Sequence, residues 1–186
     1  PMHTSLSDED LKKVISDIES LFAWPLEAGL SITIIHMLLE PAIHTARLAL
    51  RSLSSGDITQ DYCNWLNDPT INQFLEARFT RHNIENLQNF VEAMNASPAD
   101  LLMGIFEQGQ HIGNVKIGPI DPHHQHASIG LLIGNRSAWG KGYATEVIRA
   151  VTQYAIQHLN VYKMIAGCYA SNIASYKAFI KAGYAE

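Results

Sequence analysis

The stretch "NRSAWGKGYATE", residues 135–146, sets Gly140 and Gly142 behind a tryptophan, where a run of good helix formers begins. Each glycine costs a helix roughly 1 kcal/mol against alanine, so two of them at a helix entrance imply that something lies against bare backbone there. Upstream, "ASIGLLIG" at residues 127–134 reads as a strand. Downstream, Val147, Ile148, Val151, Tyr154, Ala155 and Leu159 share one helical face and predict a helix ending near Asn160. A strand, a glycine-bearing loop and a helix, in that order, offer free amide N–H groups at the positive end of a helix dipole, a ready site for phosphate. Two phosphate motifs drop out. No Gly-Lys-Ser/Thr triplet occurs, so the Walker pattern is absent. The dinucleotide fingerprint fails for want of a third glycine and of an acidic residue about 20 positions on.

Working outward, "ARLALRSL" from Ala46 alternates like a strand, and "SSGDITQDYCNWLNDPTINQFL" carries helix signals interrupted at Asn67-Asp68-Pro69, which predicts a broken helix pair. "NIENLQNFVEAMNA" puts Ile84, Leu87, Phe90, Val91 and Met94 on one helical side, and "LLMGIFEQGQHIGNVKIGPI" reads as two strands joined over residues 107–110. After the glycine stretch, "YKMIAGCYA" makes a strand with Tyr169 at its end. "SNIASYKAFIKAG" makes a helix with Gly183 as its C-terminal cap. Strand, helices, three antiparallel-looking strands, helix, strand, helix is an α+β plan.

The bulk properties agree. The chain has 186 residues, 47% of them hydrophobic, enough to bury a core. Thirteen Lys and Arg against 18 Asp and Glu give a formal charge of -5, which provides no diffuse field for nucleic acid or an anionic membrane. Cys63 and Cys168 show no metal spacing and are read as buried thiols of a reducing compartment. With no secretory pattern in the first twenty residues, the expected location is the cytoplasm. The histidine-rich "DPHHQH", residues 121–126, lies between strand-like segments and is read as a solvated turn, with no metal expected.

Trp139, Gly140, Lys141, Gly142, Tyr143 and Ala144 resemble the pyrophosphate loop of the GNAT superfamily of acyl-CoA-dependent N-acetyltransferases, Gln/Arg-x-x-Gly-x-Gly/Ala. Trp139 departs from its first position. "WGKGYATE" is similar to the branch that acetylates ribosomal-protein N-termini, where an aromatic residue is usual there. The likeness covers about residues 45–186, with "ARLALRSL", "HIGNVKIG" and "YASNIASYKAFIKAGY" matching in order. It implies a mixed, mostly antiparallel sheet flanked by helices, and a V-shaped slot between two splayed strands for acetyl-CoA. By resemblance Leu132, Ile133 and Gly134 would bond the pantetheine arm, the N–H groups from Gly140 to Thr145 the pyrophosphate, and Asn172 the pantetheine or an ordered water.

Direct transfer needs a neutral amine, a polarised thioester and a proton for the thiolate. The tyrosine acid common in the family is replaced by Phe179, so the resemblance passes that role to Ser175, which could equally be a first-turn helix serine without chemistry. Glu76 and Arg78, in the segment that caps the family's acceptor site, are read as substrate-contacting groups or as a surface ion pair. Asn114 and Tyr169 are further candidates to line the slot. The expected reaction is acetyl transfer to a primary amine, with a nucleotide-linked amino sugar first, a protein N-terminus second, and a non-catalytic acyl-CoA-binding module as the reading from another class.

The family chain continues after a helix like the one ending at Gly183 with two closing strands, and this sequence ends at Glu186. The division is therefore an N-terminal helical extension over residues 1–40 and an acetyltransferase domain over residues 41–186 that appears without the final strands. Either the chain is part of a longer one, or the extension fills the gap. In "SDEDLKKVISDIESLF", Leu11, Val14, Ile15, Ile18, Leu21 and Phe22 form an apolar stripe, expected to pack on its own domain or on a second copy, which would make a homo-oligomer. Six such side chains could contribute on the order of 10 kcal/mol before chain entropy is subtracted. Removing residues 1–40 is therefore expected to lower solubility and Tm and to change the mass seen by light scattering. Unchanged values would show the extension to be an appendage.

Overall fold

The structure is a computed structural model that describes residue 39 and residues 42–186. The apolar stripe of residues 11–22 and the boundary at residue 40 lie outside the described residues. Among the described residues six strands form one sheet: β1 (Ile43–His44), β2 (Leu48–Ser52), β3 (Leu101–Glu107), β4 (Gln110–Asp121), β5 (His126–Ile133) and β6 (Lys163–Ala166), each beside its sequence neighbour. All pairs are antiparallel except β5–β6, which is parallel. A parallel pair needs a crossover, and helix α4 (Tyr143–His158) supplies it. The other helices are α1 (Gln60–Asn67), α2 (Pro69–Asn72), α3 (Ile84–Ala96) and α5 (Ile173–Ala182). The mixed α+β plan is the one expected.

Local chemistry fixes the element ends. Asp68 closes α1 and caps α2, accepting from the Thr70 amide at 2.8 Å while Pro69 takes the first helical position, so the broken pair forms as expected. The β3–β4 turn has positive φ at Gln108 (50°) and Gly109 (81°), as a tight hairpin requires. Gly183, at φ 108°, ends α5. One strand is shorter than its sequence suggests: β6 stops at Ala166, and the chain leaves the sheet at Gly167 for the turn that leads into α5. Tyr169 is therefore in that turn and not in a strand. Cys168 lies beside it and is exposed, contrary to expectation, while Cys63 is buried.

The sheet separates two cores. Between the sheet and α4 and α5, Leu50, Met103, Ile105, Ile112 and Val115 of the strands meet Ile148 and Val151 of α4. On the other face Leu102 and Phe106 of β3 and Leu53 meet Tyr62 and Trp65 of α1 and Leu87 and Val91 of α3. Phe90, expected on the buried stripe of α3, is 42% exposed, because Leu87 and Val91 alone point straight at the sheet. Gly134 is required by packing, since a Cβ there would stand 2.1 Å from the Trp65 ring. Among the described residues no helix is long and apolar enough to cross a membrane.

A two-point ion pair ties β2 to the segment before α1. Arg51 donates to both Asp57 oxygens at 2.7 Å and lies 3.9 Å over the Phe106 ring, while Asp57 also accepts from Ser54 N and Oγ at 2.7 Å. The Arg51 hydrogen bonds, reinforced by Ser54 and opposed by burial, hold the Asp57 carboxyl well below its ordinary value. A depressed carboxylate stabilises the fold at pH above the unfolded value near 4 and loses that contribution as pH falls below it. Asp57→Asn is thus expected to lower Tm by roughly 3–8 °C at pH 7, with the gap to the native protein closing toward pH 2–3. A gap independent of pH would reject the pair as its cause.

Candidate active site

The β5–β6 register runs only from His126↔Lys163 to Ile129↔Ala166, so residues 130–133 of β5 have no strand partner on that side. On the β4 side the Gly134 amide donates to Ile112 O at 2.9 Å. By the alternation of an antiparallel ladder, Leu132 also faces β4, and the backbone groups of Leu131 and Ile133 face the gap. Of the residues expected there, Ile133 thus has its polar backbone toward the opening. Gly134 and Leu132 have theirs in the sheet, and Leu131, which the sequence reading did not name, joins Ile133. The Trp139 indole N–H donates to Ile133 O at 2.7 Å, and its ring is 45% exposed over the end of the gap.

Where the strands part, a cavity of about 440 Å³ brings together Glu76, Tyr169, Asn172 and Ser175, with Phe179 on its wall. Asn172 caps α5 and accepts from the Ser175 amide at 3.2 Å, which fixes Ser175 in the first turn of the helix. Phe179 is buried against Tyr184, ring centroids 5.1 Å apart. Glu76 and Arg78 do not pair directly. Arg78 donates to the Tyr169 hydroxyl at 3.0 Å, and that hydroxyl donates to Glu76 Oε1. A three-member relay therefore links the 3-10 turn Glu76–Phe79 to the turn after β6, anchored by Arg78 bonds to Gln73 O and Leu75 O.

At the glycine loop, Gly140 and Gly142 have φ of 74° and 79°, and a Cβ at Gly140 would meet nothing within 4 Å. The loop needs them for conformation and clearance, not for packing. Gly142 is the N-cap of α4, and the first amide bonded within the helix is that of Glu146, to Gly142 O at 3.2 Å. The N–H groups of Tyr143, Ala144 and Thr145 thus lack intrahelical acceptors. The Tyr143 side chain is buried, its hydroxyl donating to Glu107, and Lys141 Nζ lies 3.7 Å from the same carboxylate.

Arg47 fixes the loop's shape: Nη1 donates to Lys141 O at 2.9 Å and Nε to Glu146 Oε2 at 2.7 Å, while Thr45 donates to Glu146 Oε1 at 2.6 Å. Burial opposes ionisation of Glu146, but the bonds from Thr45 and Arg47 outweigh it and hold its carboxyl below the ordinary value. The negative charge in the first turn of α4 is neutralised by Arg47, so the helix end stays receptive to an anion. No spacing rule joins Arg47 to a residue 99 positions away, and the sequence reading missed it.

A second cavity, of about 420 Å³, opens on the other side of β5, under α1 and α3, and shares Leu75, Gly130 and Leu131 with the first. Asn114 and Leu132 line it. The histidine-rich turn is elsewhere, at the β4–β5 hairpin. There Asp121 accepts from the His123 and His124 amides at 2.9 Å and from His124 Nδ1 at 2.8 Å, bonds that hold its carboxyl at about 2. The possible ligand atoms of Asp121, His124 and His126 lie within 4.8 Å of one another; the turn's hydrogen bonds hold Asp121 to His124, and His126 Nε2 lies 3.7 Å from Asp121 Oδ2.

Residues 47–185 match the family model described as "Acetyltransferase (GNAT) domain". An uncharacterized N-acetyltransferase, p20, of Bacillus licheniformis is 26% identical over 141 residues, 73% of this chain and 77% of the relative. Among solved structures, spermidine N-acetyltransferase from Vibrio cholerae, in complex with CoA and spermine, superposes with a TM-score of 0.68 at 22% identity, over 76% of this chain and 83% of that one. RimL, a ribosomal L7/L12 alpha-N-protein acetyltransferase in complex with coenzyme A, gives 0.69 at 17% identity, over 76% and 82%.

Proposed function

The chain belongs to the GNAT acetyltransferase family, and we propose that it moves the acetyl group of acetyl-CoA onto a primary amine at the mouth of the β5–β6 gap. The observation that carries this reading is the parting of β5 from β6 over the cavity that gathers Ser175, Asn172, Tyr169 and Glu76, beside the unbonded amides that open α4. The cosubstrate fits what is present. Two left-handed glycines leave clearance, the first-turn amides of α4 await acceptors, and the edge of β5 offers Leu131 and Ile133 backbone to a chain carrying its own amides. In this assignment the loop from Trp139 to Thr145 holds the pyrophosphate, with Lys141 as a supporting charge. Asn172 contributes a side-chain contact to the pantetheine.

Acetyl-CoA when bound supplies an activated thioester carbonyl and a thiol leaving group. The chain's own residues supply order and protons. Ser175 Oγ, in the first turn of α5 at the cavity wall, donates the proton that the departing sulfur needs, a task that buried Phe179 cannot perform. Glu76 keeps Oε2 free of partners among the described residues and can take the amine proton, while Tyr169 and Arg78 orient it from the other oxygen. An amine with pKa near 8 needs little further activation at neutral pH.

Between the two expected acceptors, the cavities favour the peptide amine over the nucleotide-linked sugar. A nucleotide diphosphate calls for uncommitted cations, whereas Lys116 is held by Asp100 at 2.8 Å and Arg78 by Tyr169 and two carbonyls.

Coenzyme A binding through backbone predicts that Lys141→Ala weakens calorimetric affinity modestly, while Gly142→Val abolishes it. Valine resists the left-handed φ of 79° and would fill phosphate space. Equal, small losses in both variants would sink the assignment. Ser175→Ala is expected to lower kcat by about 10- to 100-fold at unchanged acetyl-CoA affinity. An unaltered kcat under chemistry-limited turnover would reject the serine as acid.

A further inference from the structure

The cavity under α1 and α3 is built almost wholly of hydrocarbon, with Leu66, Leu87, Phe90, Leu102 and Leu132 on its walls. Among the described residues no carboxylate lines it. Its one formal charge among the described residues, Lys116, is bonded to Asp100, and His82 Nε2 lies 2.8 Å from Ala77 O. Its buried polar groups are the Tyr62 hydroxyl and the amide of Asn114, the latter at 7% exposure.

Asn114 shares a face with His111, three residues away, although residues an odd number apart on a regular strand point to opposite sides. The β3–β4 register explains it. Ile105 pairs with Gly113 and Phe106 with His111, so Ile112 is an extra residue, a bulge that turns its own side chain into the other core. The His111 ring is walled in by Phe106 at 5.1 Å, Trp65 at 5.2 Å and Tyr62 at 5.6 Å between centroids.

Its Nε2 lies 2.9 Å from Gly113 O and 2.9 Å from the Asn114 side chain. A carbonyl only accepts, so Nε2 carries the proton, and the Asn114 atom facing it must be the acceptor Oδ1. Burial pushes the imidazole pKa down, against the bonds to Asn114 and Gly113, and Nδ1 is left bare, buried and unpartnered. The Asn114 NH2 therefore points away from His111. Among the described residues it has no protein partner, and it belongs to the cavity lining.

We infer that Asn114, oriented by His111, selects the acceptor: its NH2 donates to a carbonyl or hydroxyl oxygen of an amine whose body is apolar and uncharged. The cavity rejects polycations. This rests on the acetyl-transfer reading above. Both cavities reach Gly130, where a Cβ would meet nothing within 4 Å, and an amine seated against Asn114 would reach the parted strands past that bare backbone. A polyamine would carry charge into a cavity where no described residue offers a carboxylate to pair it, at high cost.

The test uses the full chain, thiol release from acetyl-CoA, and three acceptors: leucinamide, isoamylamine, which keeps the hydrocarbon but lacks the carbonyl, and spermidine. Expected kcat/KM for leucinamide exceeds that for isoamylamine by about 10-fold and that for spermidine by about 100-fold. Asn114→Leu should remove the preference for leucinamide over isoamylamine, mostly through KM, while calorimetric acetyl-CoA affinity stays unchanged and shows the variant folded. His111→Phe, which fills the aromatic cage but lets the amide turn, should reduce the same preference with both acceptors still acetylated. Spermidine turned over as well as leucinamide, or a leucinamide preference intact in Asn114→Leu, would overturn the inference alone. Acetyl-CoA binding without turnover of any of the three would overturn the transfer reading and this one with it.

Discussion

The separation of β5 from β6 beyond Ile129 and Ala166 is the constraint on which the other features turn. Backbone N–H and C=O groups without partners are costly when enclosed, so a sheet that opens within its own width must either face water or be filled. Here β5 stays with β4, locked by the Gly134 amide on Ile112 O and by Trp65 packed on the bare face of Gly134. The chain after β6 turns away at Gly167 toward α5. The opening thus lies between one rigid wall and one turn, and the residues proposed for chemistry come from both sides of it.

A helix terminus completes the opening. The entrance to α4 is formed by glycines in left-handed conformations, and the one acidic residue of the helix's first turn, Glu146, is neutralised by Arg47, just before β2. Arg47 also holds the Lys141 carbonyl. One guanidinium therefore removes a repulsive charge and shapes the loop in which that charge sits, which couples the outer sheet to the anion-receptive end of the crossover helix. The same parallel crossover that produces the parted strands delivers the helix N-terminus beside them, a direct consequence of βαβ connectivity.

The two faces of the sheet differ in chemistry. The side under α4 and α5 meets the parted strands through the Ser175 cavity, whereas the side under α1 and α3 carries a largely apolar chamber with the buried amide of Asn114. A bulge at Ile112 separates what would otherwise be a regular alternation, sending Ile112 to one core and His111 to the other. The Arg78–Tyr169–Glu76 relay spans the mouth of the opening and ties the segment after α2 to the turn after β6.

Much of this was legible in the sequence. The apolar alternation of "ASIGLLIG", the two glycines and the periodic helix behind them sufficed for the strand, loop and crossover, because strand and helix periods are local properties of the chain. Capping signals placed the breaks at Asp68 and Gly183. Gly113 inside a strand pattern was a visible hint of the bulge, but its consequence, His111 and Asn114 on one face, follows only from the pairing with β3. The shortening of β6, the exposure of Cys168 and Phe90, the clasp of Arg47 on Glu146 and the linking of Glu76 to Arg78 through Tyr169 belong to tertiary structure alone. Each depends on groups between a few and 99 residues apart meeting in space, and hydrogen bonds across such separations leave no periodic trace in the order of residues. Sequence determined where glycines would leave the loop backbone bare; strand pairing decided which groups of β5 face the gap, and packing which side chains surround them.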